Sequence, residues 1–188
     1  MDIVLASGSP RRRELLEGLG LSFEICPAKG EEHAPEGAGP AETVQALALA
    51  KAEEVAKLHP QSLVIAADTI VWADDRILGK PHDESEAVSM LSLLSDNSHE
   101  VYTGVAIIFG EKTICQSECT KVFFRRLSEE EIAAYVRTGE PMDKAGAYGI
   151  QGRAAMMVQR IEGDYFNVMG LPLCRLGQML REIEVQLF

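Results

Sequence analysis

Leu5-Ala6-Ser7-Gly8-Ser9-Pro10-Arg11-Arg12-Arg13 is the stretch from which the rest of the chain can be read. Ile3, Val4 and Leu5 read as a buried strand, Pro10 suits the first position of a helix, and helical spacing continues over residues 14–19. Ser7 or Ser9 is then the N-cap. A strand that stops in a Ser/Gly turn before a helix leaves the first helical amides unpaired and pointing out of the sheet, where an anion can sit. Three consecutive arginines fan around a helix turn, so one or two can face a ligand while the others are solvated. The same residues also read as an ordinary capped helix with a basic surface turn.

Outward from this unit the pattern alternates strands and helices. Residues 22–27 read as a second strand, and residues 28–40 as a Gly/Pro-rich loop carrying Glu31, Glu32 and Glu36. Val44, Leu47, Ala48, Val55 and Leu58 define one face of a long helix over residues 42–58, with Lys51 in the middle of that face. Such a lysine either snorkels out of the interface or finds an anionic partner. Residues 62–72 read as one long buried strand interrupted by Asp68 and Thr69, and a carboxylate inside such a run is expected to be paired, metal-bound or catalytic. After a turn at 73–76, Ile77 and Leu78 pair back before Lys80, which a hairpin connects to the strand of Asp68.

A helix is expected over residues 83–94, with a capping box from Asp83 to Glu86. Residues 101–109 and 113–124 form a hairpin, which makes the sheet mixed rather than purely parallel. Ser128 and Glu131 cap a further helix through Val136, with Gly139 at its C-terminal stop. Residues 140–152 are rich in glycine and polar groups, a composition that lets the backbone approach a ligand while side chains select it. Residues 154–161 return to strand-like spacing, residues 163–167 turn, and a last helix packs through Leu173, Leu176, Leu180 and Ile183.

With 188 residues, 46% of them hydrophobic and 25% charged, the chain suits a single domain spanning 1–188, with two lobes. The formal charge of −11 argues against a sequence-independent nucleic-acid binder, which needs a broad basic surface. A small phosphorylated ligand remains compatible, given local basic residues or a divalent cation. The four cysteines form no CxxC pair, and no zinc spacing appears. No apolar run is long enough to cross a bilayer, no basic leader precedes the first strand, and the expected location is the cytoplasm.

Taken together, the Leu5 to Arg13 run, Lys51-Ala52, Ala67-Asp68-Thr69, Gly79-Lys80-Pro81, Tyr102-Thr103-Gly104, the run from Asp143 to Gly152, and Gly170-Leu171-Pro172-Leu173 resemble the Maf family of nucleoside triphosphate pyrophosphatases, nearly end to end. The resemblance is strongest to the subgroup acting on dTTP and UTP. It implies an α/β, inosine-triphosphatase-like fold, with a long mixed β-sheet flanked by helices and two lobes around a deep cleft. It also implies hydrolysis of a nucleotide to its monophosphate and pyrophosphate. Carried onto this chain, Asp68 matches the proton acceptor, Glu32, Lys51 and Lys80 match other charged cleft residues, and Arg11, Thr69 and Gln151 match the positions associated with substrate choice. A related subgroup acting on 7-methyl-GTP typically shows Trp, Gln and Glu at those three. The chain departs from the usual pattern at Gly30, Ala46 and Ala50.

This reaction needs a positioned water, a base, and positive charge on the triphosphate oxygens. In this reading Asp68 activates the water, directly or through Mg²⁺ or Mn²⁺ held with Glu32. Ser7, Ser9, Arg12, Lys51 and Lys80 contact the phosphates. A homodimer is compatible with the family, which is also associated with septum inhibition. The alternative is a nucleotide-sensing regulator of division that does not turn its ligand over.

Overall fold

The computed structural model describes residues 1–30 and 33–186. They form strands β1 (Ile3–Leu5), β2 (Glu24–Ile25), β3 (Leu63–Ala73), β4 (Arg76–Leu78), β5 (Ser98–Phe109), β6 (Lys112–Phe124) and β7 (Val158–Glu162). The α-helices are α1 (Pro10–Gly18), α2 (Pro40–Leu58), α3 (Glu84–Leu94), α4 (Glu129–Val136), α5 (Tyr165–Met169) and α6 (Leu173–Glu182). One seven-stranded sheet has the order β2-β1-β3-β5-β6-β7, with β4 on β3. β1 runs parallel to both β2 and β3, whereas β4 on β3 and β7 on β6 are antiparallel. The sheet is therefore mixed, as the strand and hairpin pattern required.

The chain divides into two compact units. The first comprises Met1–Asp68, Thr103–Glu118 and Gly170–Phe188, the second Thr69–Tyr102 and Cys119–Met169. In the first, the apolar face of α2 (Ala48, Ala52, Val55) is buried with Val4, Ala6, Val64, Ala66 and Ala106 of the sheet. Small residues bring helix and sheet close. A Cβ built on Gly104 in β5 would lie 2.1 Å from the Val44 carbonyl oxygen of α2, so only glycine fits that crossing. In the second unit, α3 and α4 pack with β4 and the outer strands through Leu78, Leu91, Leu94, Val122, Phe124, Ile132 and Val136.

Helix boundaries follow their caps. Ser128 and Glu131 form the full capping box of α4. At α3 the box is partial: Asp83 accepts from the Glu86 amide, but the Glu86 carboxylate accepts from the amide of His82, one residue before the cap.

Three local expectations change. Only Glu24–Ile25 of residues 22–27 pairs as a strand. The polar Ser22 and the amide-less Pro27 bracket it, and the last ladder contact is the Cys26 amide on the Leu5 carbonyl, 3.0 Å. Residues 152–156 form a 3₁₀ turn before β7 instead of a strand. Ala154, Ala155 and Met156 carry no β-branched side chain, and strand pairing begins at Val158. Residues 165–169 are helical rather than a turn, because the Asp164 carboxylate accepts from the Phe166 amide at 2.8 Å and opens α5.

Candidate functional site

The candidate side chains of the first unit stand just beyond the point where the parallel ladder of β1 and β3 ends. β1 ends at Leu5, paired with Ile65 of β3, and the Ala6 amide still bonds the Ile65 carbonyl at 2.8 Å. Ser7 on one strand and Asp68 on the other follow directly beyond this point. Ligands in open α/β sheets bind outside such strand ends.

Ser9, not Ser7, occupies the N-cap position of α1, and its side chain caps nothing. The buried Ser7 hydroxyl instead accepts from the Ser9 amide at 3.3 Å and from Arg12 Nη1 at 3.0 Å. Arg12 Nε donates to the Gly170 carbonyl at 2.7 Å. The guanidinium is thus held by Ser7, five residues before it, and by Gly170, 158 residues after it, with its planar fork oriented before any ligand arrives. Arg11 is half-buried at the first turn of α1. Arg13 pairs with Glu17 at 2.7 Å on the exposed side, which accounts for the third arginine.

Lys51 finds the anionic partner that its place on the apolar face demanded. Its Nζ lies 2.5 Å from Asp68 Oδ1, and the two side chains are only 17% and 11% exposed. Two charges removed from water at this depth persist because they neutralise each other. The Asp68 carboxylate is thereby oriented by a group on α2 at the point where β3 leaves the first unit.

Thr69, Lys80 and Gln151 belong to the second unit. Thr69 follows Asp68 along β3 and is half-buried; Lys80 and Gln151 are exposed. The segment of Lys80 and that of Gln151 are tied together by the Gly146 amide, which donates to the Gly79 carbonyl at 3.0 Å. Gly146 has φ 68°, and a Cβ there would stand 3.0 Å from Val71, so the chain needs glycine both for the turn and for the close approach.

Glu32 lies outside the described residues. The loop leading to it is nonetheless fixed by a residue that the sequence pattern did not single out. Glu54, three residues after Lys51 on α2, accepts from the amides of Lys29 at 2.8 Å and Gly30 at 2.9 Å. These bonds hold its carboxyl below the usual range. Its i+3 spacing from Lys51 was the available signal, since both then rise from one side of α2.

Among the described residues no group of three or more His, Cys, Asp or Glu side chains gathers to form a protein cage for a metal. Mg²⁺ does not need one, because it takes one or two carboxylates and fills its octahedron with water and substrate phosphate oxygens. The Asp68 carboxylate, paired with Lys51, is a hard oxygen donor that fits this mode.

The geometry so far is an arginine held by Ser7 and Gly170, and a buried carboxylate paired with Lys51. A family model described as Maf-like protein matches residues 2–183. The chain belongs to the Maf family. Relatives of this Maf chain include a dTTP/UTP pyrophosphatase of Bacillus cytotoxicus, 54% identical over 181 residues that cover 96% of this chain and 95% of that protein. Another is a dTTP/UTP pyrophosphatase of Bacillus mycoides, 53% identical over 182 residues, 97% of this chain and 95% of the other. Among solved structures, a HAM1 protein from Coxiella burnetii superposes with a TM-score of 0.52 at 17% identity, covering 97% of this chain and 99% of that one. The Staphylococcus aureus Ham1 protein gives 0.54 at 14%, covering 98% and 100%. These two likenesses show that the Maf chain has the mixed α/β, inosine-triphosphatase-like fold. No described helix is long and apolar enough to cross a membrane.

Proposed function

We propose that this Maf protein is a nucleoside triphosphate pyrophosphatase that hydrolyses dTTP and UTP to the monophosphate and pyrophosphate. The observation that carries the reading is the Lys51–Asp68 pair, a carboxylate held in one orientation just beyond the parallel ladder of β1 and β3. Support for the substrate comes from relatives more than half identical over nearly the whole chain and named for that activity.

Asp68 is the base that takes the proton from the attacking water, and Lys51 orients its carboxylate and balances its charge. Arg12, positioned by Ser7 and Gly170, meets phosphate oxygens together with the amides at the start of α1; Ser9 and Lys80 complete the phosphate contacts. Asp68, with Glu32, would hold Mg²⁺ or Mn²⁺. Such an ion, when bound, neutralises phosphate charge and acidifies water. Arg11 and Gln151 are assigned to the base: guanidinium donors suit the carbonyls of uracil or thymine, and an amide oxygen suits the ring N–H. Thr69 is small enough to leave the ring room.

The test is a panel of nucleoside triphosphates with pyrophosphate and orthophosphate detected separately, with Mg²⁺, with Mn²⁺ and after chelation. UTP and dTTP are expected to be turned over fastest, with pyrophosphate released and activity lost on chelation. Preference for purine triphosphates overturns the substrate assignment, and orthophosphate as first product overturns the reaction. Tight binding without product identifies a nucleotide-sensing regulator instead.

A further inference from the structure

The segment of residues 139–152 that carries Gln151 has little regular structure of its own. It runs through short 3₁₀ turns and places Gly139, Gly146, Ala147 and Gly152 at positive φ. Ala147, with φ 60° and fully buried, is held where a residue with a Cβ is disfavoured. Such a conformation persists only where neighbours over-determine it. The next residue supplies the constraint.

Tyr148 is 4% exposed, and its ring meets Phe124 edge-on at 4.7 Å and His99 at 5.2 Å. Its hydroxyl lies 2.6 Å from Nε2 of His99, which is itself 2% exposed. Nδ1 of His99 is buried with no hydrogen-bond partner among the described residues. Which of Nε2 and the Tyr148 hydroxyl donates is set by the imidazole tautomer, and with either tautomer the bond joins two buried groups. His99 belongs to β5 and Phe124 to β6, both regular strands, so the turn segment is pinned to the sheet by one aromatic residue three positions before Gln151. On the other side of Gln151, a Cβ on Gly152 would lie 2.9 Å from a Glu140 carboxylate oxygen, and that carboxylate accepts from the Tyr135 hydroxyl at 3.1 Å. Gln151 itself begins a 3₁₀ turn, yet its side chain caps nothing there.

We infer that His99 and Tyr148 are positioning residues for base selection: their hydrogen bond, buried against Phe124, sets where the Gln151 amide stands. This rests on the assignment of Gln151 to the base. Neither residue touches the nucleotide, and both act through the backbone between 148 and 151. Loss of the bond therefore loosens recognition of the ring while leaving the hydrolytic groups of the first unit in place.

The experiment measures kcat and KM for UTP and CTP with wild type, Gln151→Ala, Tyr148→Phe, His99→Leu and Tyr148→Phe/Gln151→Ala, with thermal melts of each. CTP is the informative competitor because it lacks the ring N–H and one carbonyl of UTP. Tyr148→Phe is expected to raise KM for UTP and reduce the UTP/CTP ratio of kcat/KM by about three- to tenfold, the worth of one hydrogen bond, with kcat nearly unchanged. In the Gln151→Ala background the same change is expected to add nothing further to that ratio. His99→Leu removes the bond's other partner, from outside the segment, and is expected to act alike, so a folding failure of one variant leaves the other to decide. If Gln151→Ala lowers the ratio but the folded Tyr148 and His99 variants do not, or if they lower kcat equally for both nucleotides, the inference is overturned. If Gln151→Ala itself leaves the ratio unchanged, the assignment of Gln151 fails, and the inference fails with it.

Discussion

Lys51 on α2 and Asp68 on β3 are joined by a 2.5 Å contact between Nζ and Oδ1, buried at the end of a parallel strand pair. An ammonium and a carboxylate at this depth act as a unit, so removing either partner leaves the other uncompensated. Asp68→Asn is expected to retain the fold and lower kcat for UTP by more than about 100-fold, the lower end of the range for general acid–base catalysis. Lys51→Met in the Asp68→Asn background is expected to cost far less activity than it does alone, because the oriented carboxylate is already gone. Steady-state pyrophosphate release, checked against melts, measures both.

The Ser7 hydroxyl carries two donors, the Ser9 amide and Arg12 Nη1. Ser7→Ala leaves both without that acceptor in a buried setting and is expected to cost about 1–3 kcal/mol in denaturant unfolding. With Arg12 then no longer held by Ser7, KM for the triphosphate should rise more than kcat falls.

Gly104 is where β5 passes under α2. Gly104→Ala puts a methyl group 2.1 Å from the Val44 carbonyl oxygen, a clash with backbone that no rotamer relieves. The expected cost is about 1–3 kcal/mol or more by urea titration. Activity should fall as well, since Lys51 sits two turns further along the displaced helix.

Burial pushes the His99 ring down to about 4 from the ordinary imidazole value of 6.5. Below the ordinary value the unfolded chain binds a proton that the folded protein refuses. The contribution of the neutral ring is therefore complete above that value and is lost as pH falls, by about 3 kcal/mol on reaching the folded value. Urea midpoints measured between about pH 7 and pH 4 should fall for the wild type and fall less for His99→Phe, which has no such proton to bind.

The local signals were strong where a residue's neighbours in sequence are also its neighbours in space. The Ser128/Glu131 capping box, the apolar face of α2 as far as Val55, the hairpin of β5 and β6 and the strand-to-helix opening at Ser7 all obey short periods, and the structure keeps them, whereas Leu58 at the end of α2 is exposed. Strand ends obeyed no such rule. Residues 154–161 read as a strand, but 154–156 turn, because pairing needs a partner edge and β-branched residues that begin only at Val158.

The sequence by itself determined that this chain is an α/β protein, that Lys51 either snorkels or meets an anionic partner, and that Asp68 was out of place in an apolar run. Each follows from a period or from the cost of burying charge. Only the tertiary structure decided the partners: Asp68 for Lys51 across 17 residues, the Gly170 carbonyl for Arg12 across 158, and Tyr148 for His99 across 49. His99 carried no signal at all, lying in a strand pattern with nothing nearby to pair with. The reason is physical. Periodicity says which face of an element is buried, whereas the atom met on that face is set by how distant elements pack, a choice no local window contains.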